Sequence, residues 1–353
     1  MTTFYKKTFL GLLFLVVILA GTACSTVDEA TGKQQVNLKS DDSVPYIGFV
    51  LDTLEEERWY NDKQLFEEKI KTLGGQVKTL AANGLDEVQL TQAQLLIEEG
   101  VDVLVVVPHN ADAASKIVEL AHKNDVKVIS YDRLITNSDL DYYISFDNEK
   151  VGELQATELV NRVPKENYAY IGGAKTDNNA LLFRKGAMSV LQPLIDKGDI
   201  QLVYDQYTDE WNPKIAEQNM TTALKQSKNQ IDAVIAANDG TAGGVISALS
   251  SVGLAGKIPV SGQDAELNGI KRIISGTQTM TVYKPINMIA TKAAEMAFKV
   301  AKGEKITTDT TVDNHKINVP TILLNPTSVT KETINSTVIK DGYLTEEEIY
   351  SKK

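Results

Sequence analysis

One cysteine, three histidines and two tryptophans among 353 residues remove several classes of protein at once. A lone cysteine, Cys24, forms no internal disulfide and supplies no paired thiolates for a zinc site. The histidines His109, His122 and His315 stand in unrelated contexts, without the spacing of a metal motif or of a nucleophile and its base. No G-x-S-x-G elbow is present. No glycine-rich phosphate loop follows the first apolar run, where "GFVLDTLEEER" puts acids in place of backbone amides that would cradle phosphate. The stretch "NSDLDYY" lacks the glycine and terminal glutamate of a calcium loop. Basic residues are outnumbered, 36 to 47, and form no cluster, so a nucleic-acid partner is excluded. No catalytic residue, metal or cofactor is expected, and the chain reads as a binding protein.

Long apolar runs are also scarce. The one candidate is Phe9 to Ala20, preceded by Lys6 and Lys7. It is short for a membrane span and has the length of a secretory signal core. It runs into "LAGTACS", which resembles a bacterial lipobox with Cys24 at the lipid-attachment place, although Gly21 occupies a position where such boxes usually carry leucine. Residues 1–23 are therefore expected to be a signal peptide, Cys24 to carry lipid, and the polar residues 24–43 to form a flexible tether. The expected product is exported and anchored to the outer face of the cytoplasmic membrane. Loss of residues 1–23 removes two lysines and no acid, which takes the formal charge from −11 to −13. Roughly 310 residues remain, enough for two domains with sizeable cores.

What the chain has in abundance is alternation. Valine- and isoleucine-rich runs at 45–51, 76–82, 101–108, 127–132 and 142–147 are separated by helical patterns such as Phe66, Ile70 and Leu73. A second series follows at 168–173, 200–206, 231–239, 258–264 and 278–285. Ten strand candidates in this rhythm predict an α/β protein of two doubly wound parallel-sheet lobes. "VPTILLNPTSV", with two prolines, reads as an extended crossing between them. Thr53 with Glu56 three residues on is a capping-box pattern, so the first helix is expected to start at Thr53, with Arg58 and Trp59 on its second turn. "Trp211-Asn212-Pro213" reads as a loop residue, an N-cap and a proline at the first helical position.

Parallel α/β sheets bind ligands outside the carboxyl ends of their strands. Those ends carry Asp52, "PHN" at 108–110, Asp132-Arg133, "DNN" at 177–179, Trp211, Asn238-Asp239, Gln263-Asp264 and Lys284. Carboxylates and amides suit the hydroxyl rim of a sugar, and flat indoles suit its C–H faces. Each has a plainer reading. Trp59 lies in helical register with Phe66, Ile70 and Leu73 and could be core. Asp132-Arg133 could be a cap with a surface cation, Asn238-Asp239 an N-cap, and His109 a structural or peripheral residue.

Seven stretches in order, "ERW" at 57–59, "YDR" at 131–133, "YISFDNEKVGELQA" at 143–156, "DNNA" at 177–180, "AANDGTAGG" at 236–244, "SGQDAEL" at 261–267 and "GTQTMTVYKP" at 276–285, carry a resemblance. The chain resembles the sugar-binding proteins of bacterial ABC importers, in the D-xylose branch of the ribose- and galactose-binding family, from about residue 45 to "TVIKDG" at 337–342. The resemblance implies the type I periplasmic-binding-protein fold, with two lobes joined by three crossings near Phe146-Asp147, near Tyr283-Lys284 and within Val319 to Asn325. Its expected lobes are 44–146 with 285–319, and 147–284 with 320–353. It implies D-xylose held between Trp59 and Trp211, with polar contacts from Arg58, Asp132, Arg133, Asn179 (or its neighbour Asn178), Asn238, Asp264 and Lys284. The implied partner is a membrane ABC permease, or alternatively a sensor kinase or chemoreceptor that reads the closed form, and the free protein is expected to be monomeric. A repressor of similar core is disfavoured by the signal segment and by the lack of a helix-turn-helix before the first strand. "PHN" at 108–110 and "YTDE" at 207–210 depart from the family pattern.

Overall fold

The computed structural model describes residues 38, 39, 41 and 43–351. The expected signal peptide, Cys24 and most of the tether lie outside the described residues. The first lobe starts with β1 (Tyr46–Leu51), α1 (Glu57–Thr72), β2 (Gln76–Ala81), α2 (Asp86–Glu98), β3 (Val103–Val106), α3 (Ser115–His122), β4 (Lys127–Tyr131) and β5 (Tyr142–Phe146). The chain then builds α4 (Asn148–Arg162), β6 (Glu166–Ile171), α5 (Asn178–Asp196), β7 (Ile200–Gln206), a 3-10 turn at Asp209–Trp211, α6 (Pro213–Gln226), β8 (Ala233–Ala236), α7 (Asp239–Ser251), α8 (Leu267–Ser275) and β9 (Thr281–Tyr283). It returns for α9 (Ile286–Ala301), β10 (Thr310–Asp313) and β11 (Asn318–Leu324), and ends with β12 (Thr327–Val329) and α10 (Glu346–Tyr350).

β1 and β3 are buried along their whole length, as expected for inner parallel strands covered on both faces. The first sheet runs β10-β11-β5-β4-β3-β1-β2, parallel except for β10 at its edge. One face packs Phe66 and Ile70 of α1 and Ile289, Ala293 and Ala297 of α9; the other packs Ala93 and Leu96 of α2 with Ile117 and Ala121 of α3. The second sheet runs β7-β6-β8, with α4 and α5 on one face and α6 and α7 on the other. β9 and β12 form an antiparallel pair beside it.

Three sequence expectations are corrected. The run 258–264 is no regular strand: its pairing with β8 is a single bridge, Val234 to Val260. Pro259 has no N–H to give, and the Ser261 hydroxyl takes the ladder's place on both the N–H and the carbonyl of Ala236, each at 3.1 Å. The segment still carries backbone onward, since Thr279 N donates to Val260 O and Val282 N to Gly262 O. Next, α1 starts at Glu57 rather than Thr53, with Glu56 in the N-cap position, so Arg58 and Trp59 sit in its first turn. Finally, the boundary expected after residue 319 moves to Asn325-Pro326, because β11 pairs with β10 through Thr321 and with β5 as far as Leu324 before β12 joins β9. The other passages between sheets fall between β5 and α4 and between β9 and α9. No helix among the described residues is long and apolar enough to cross a membrane.

α4 and α5 cross at Gly186, where a methyl group would stand 1.8 Å from the carbonyl oxygen of Glu149. Gly186→Ala should therefore force the helices apart and cost about 1–3 kcal/mol. A chemical-denaturation midpoint equal to the wild type would contradict this close packing.

Candidate functional site

The strand ends of both lobes converge on one pocket. Its wall holds Glu56, Arg58, Trp59, Asp132 and Arg133 from the first lobe, and Asp177, Asn179, Phe183, Trp211, Asn238, Gln263 and Asp264 from the second, with Lys284 at a crossing. The structure thus brings together all nine residues singled out from the sequence. The pocket is narrow, with a cavity volume of about 20 Å³, and opens through Glu56, Arg133, Trp211 and Asn238 into an outer cleft of about 590 Å³.

Arg58 occupies the centre. Its guanidinium donates to Asp62 at 3.3 Å, to Asp132 at 3.0 Å and, across the cleft, to Asp264 at 3.3 Å. Lys284 lies 3.3 Å from Asp264 and 3.7 Å from Asp132. All five side chains are buried, so each charge depends on the others. Burial opposes ionisation of Asp132, but the Arg58 guanidinium and then the Lys284 ammonium outweigh it and bring the carboxyl down to about 2. Burial likewise opposes the charge on Arg58, and Asp132, Asp62 and Asp264 raise its pKa well above the ordinary value. Asp62 is raised by burial, and it accepts the hydroxyl of Tyr131 in a very short hydrogen bond.

Arg133 forms a second cluster. It pairs with Asp52 at 2.6 Å and, from the other lobe, with Asp177 at 2.9 Å. Asp132-Arg133 is therefore no surface pair; both residues are buried. The Asp132 backbone is left-handed, φ 62°, and its carbonyl accepts from Tyr143, Ser145 and Asn179. Asp264 is also left-handed, φ 91°, fixed by its N–H to Val282. Such conformations cost about 1–3 kcal/mol and persist where the surroundings over-determine them.

The amides are held by their neighbours. Asn179, rather than Asn178, faces the pocket; its oxygen accepts from Asn148 at 2.9 Å and its NH2 reaches Asp132. Asn238 is the N-cap of α7, accepting from Thr241 N, and it also lines the pocket, so both of its readings hold. Gln155 donates to the carbonyls of Ala236, Ala237 and Gly262, tying together the backbones that present Asn238 and Asp264.

Trp59 belongs to the first-lobe core and to the pocket at once. Its indole N–H donates to Glu56 at 2.8 Å, and the Arg58 guanidinium stands 4.3 Å from the ring centre. Trp211 stands on the 3-10 turn before α6, whose N-cap is Asn212 with Pro213 following as the sequence indicates. Its ring meets Phe183 edge-on at 6.3 Å, and its buried N–H has no partner within the protein. The buried side-chain oxygen of Gln263 is likewise unpartnered.

Sequence reasoning missed Glu56 and Phe183 as pocket residues, while Asp177, read with "DNN" among the strand ends, does line the pocket. A signal for Phe183 existed: it follows Asn179 by one helical turn, on the same face of α5. Glu56 had been assigned to a capping box, whereas Trp59 takes its carboxylate. His109, expected to be structural or peripheral, lines the outer cleft and not the pocket, and bonds Asp52. No group of three His, Cys, Asp or Glu suited to a metal occurs among the described residues.

Two lobes that close polar, charged and aromatic walls around a small cavity define a solute-binding protein. The chain belongs to the periplasmic binding protein domain family, which it matches over residues 47–305. It is 52% identical over 304 residues to the D-xylose-binding periplasmic protein of Haemophilus influenzae, covering 86% of this chain and 92% of the relative. It is 51% identical to the protein of that name from Escherichia coli, with the same coverage. Among solved structures, a carbohydrate-transporter solute-binding protein from Chloroflexus aurantiacus with D-glucose superposes with a TM-score of 0.79 at 30% identity, covering 86% of this chain and 97% of that one. An ABC-transporter solute-binding protein from Clostridium phytofermentans with bound β-D-glucose gives 0.80 at 28%, covering 86% and 99%. Membership makes the chain an exported solute-binding protein and not an enzyme.

The place of Trp211 depends on Gly173, where a methyl group would stand 2.0 Å from the indole ring. Gly173→Ala should displace the ring and shift the protein's tryptophan emission while leaving far-ultraviolet circular dichroism unchanged. An unshifted spectrum would show that the ring does not rest on this backbone.

Proposed function

We propose that the protein captures D-xylose between its lobes and hands it to a membrane ABC permease. The observation that carries this reading is the pocket itself. Its paired carboxylates, amides and cations match a ring of hydroxyls, and its two indoles match apolar ring faces, in a chain about half identical to two D-xylose-binding proteins.

Asp132 and Asp264, each paired with Arg58 and Lys284, accept hydrogen bonds from the hydroxyls, and the cations donate in turn. Asn179, Asn238 and Arg133 complete the rim. Trp211 covers one face of the sugar; Trp59 contributes the other, sharing its ring with Arg58. Because the sugar touches both lobes, it favours the closed form over the open one. A pocket of this kind supports a Kd of about micromolar or tighter, roughly −8 kcal/mol. Solved neighbours named as transporter solute-binding proteins favour transport over the signalling alternative. The apolar run from Phe9 and the single Cys24 support export followed by lipid anchoring, so the receptor stays beside its permease.

Calorimetry tests the ligand and its contacts together. Wild-type protein should bind D-xylose, and Asp264→Ala should weaken it roughly 10- to 100-fold, the worth of a charged hydrogen bond. Wild-type affinity in that variant would remove Asp264 from the site. Cys24→Ser should release the protein from the membrane fraction; a variant that still sediments with membranes would contradict the lipid anchor.

A further inference from the structure

The two stretches that depart from the family pattern, "PHN" and "YTDE", meet across the outer cleft. His109 follows β3 on the first lobe, and Glu210 precedes Trp211 on the second. The His109 Nε2 lies 3.7 Å from a carboxylate oxygen of Glu210, while its Nδ1 bonds Asp52 at 2.9 Å. Asp52 in turn holds Arg133 at 2.6 Å, and Arg133 holds Asp177 at 2.9 Å. This chain of charges starts on the second lobe, passes through the first and returns to the second.

We propose that His109 and Glu210 are positioning residues, an ion pair between the lobes that holds the Trp211 turn closed over the sugar. The turn needs such a hold. Glu210 and Trp211 are both left-handed, each at φ 55°, a strained conformation for a side chain-bearing residue. Of this turn only Trp211 lines the pocket, so the turn's partner on the opposite lobe acts on binding through that indole. The inference rests on the D-xylose reading and adds a residue pair to it.

The pair makes sugar release sensitive to pH. His109 is raised from its ordinary value of 6.5, first by its hydrogen bond to Asp52 and further by Glu210 and Asp86, against burial. Arg133, bonded to the same Asp52, is the cation that opposes this. Opening separates His109 from Glu210 but leaves Asp52 beside it, so the closed form holds the proton more tightly. Closure therefore takes up proton, and the contribution is full below the open-state pKa and lost as pH rises through the closed-state one. Asp239 and Glu266, raised by burial to about 7 and about 9, add slopes of their own near the cleft. The diagnostic is the difference between wild type and variants.

The full chain should be titrated with D-xylose from about pH 6 to about pH 9, with dissociation rates measured in parallel. Wild-type affinity should fall about two- to fivefold more over this range than that of His109→Asn or Glu210→Gln, through faster release, as suits a partly exposed pair. The two substitutions should not add in the double variant, and high salt should shrink the difference. His122→Asn, which alters a histidine paired with Asp141 on the far side of the lobe, should keep the wild-type profile. Profiles of His109→Asn and Glu210→Gln that follow the wild type, or effects that simply add, would overturn the positioning role while leaving the ligand intact. Wild-type protein that fails to bind D-xylose at every pH would overturn both.

Discussion

Arg58 is a full positive charge buried among three carboxylates, one of which belongs to the other lobe. Taking such a group out of water costs several kcal/mol, which only well-placed counter-charges offset. Much of the surrounding structure serves that placement. Tyr131 fixes Asp62, Tyr143 and Ser145 fix the Asp132 carbonyl, and Val282 fixes Asp264. Removing one partner would leave a buried charge unpaired, a loss of about 3–5 kcal/mol. These groups are better understood as a preorganised set of donors and acceptors than as a source of stability, because their orientation is settled before a ligand arrives.

The same arrangement explains how closure can be read by both lobes. Arg58 reaches Asp264, Arg133 reaches Asp177, and Ala111 N donates to Thr176 O across the gap. These contacts are short in range and polar. The sheets on either side keep their own cores, and a further cluster built on Tyr283 and Val329, with Ile270, Ile334 and Val338, packs beside two of the passages between them. A ligand that adds contacts to both walls can then shift the balance between open and closed forms.

Much of this was legible in the sequence, because strand ends are where parallel sheets place their chemistry. Asp132, Asn238 and Lys284 could each be found from the apolar run that precedes them. What failed was local grammar overruled by tertiary partners. The Thr53–Glu56 capping pattern gave way because Glu56 is engaged by the Trp59 N–H, and α1 starts later. The apolar run at 258–264 did not become a ladder strand because Pro259 and the Ser261 side chain alter its pairing. Pro320 suggested a crossing, yet it sits inside β11 opposite Thr311, and the break falls at Pro326. Phe183 joins the pocket from α5, one turn after Asn179 and on the same face, a spacing that the sequence shows once Asn179 is placed at the cleft.

The most direct test of the account is small-angle X-ray scattering of the chain from residue 26 onward, with and without D-xylose at a concentration shown by calorimetry to saturate it. The account predicts a smaller radius of gyration with the sugar, as the lobes close on the Arg58 and Arg133 clusters. An unchanged radius despite saturated binding would contradict closure as the basis of capture.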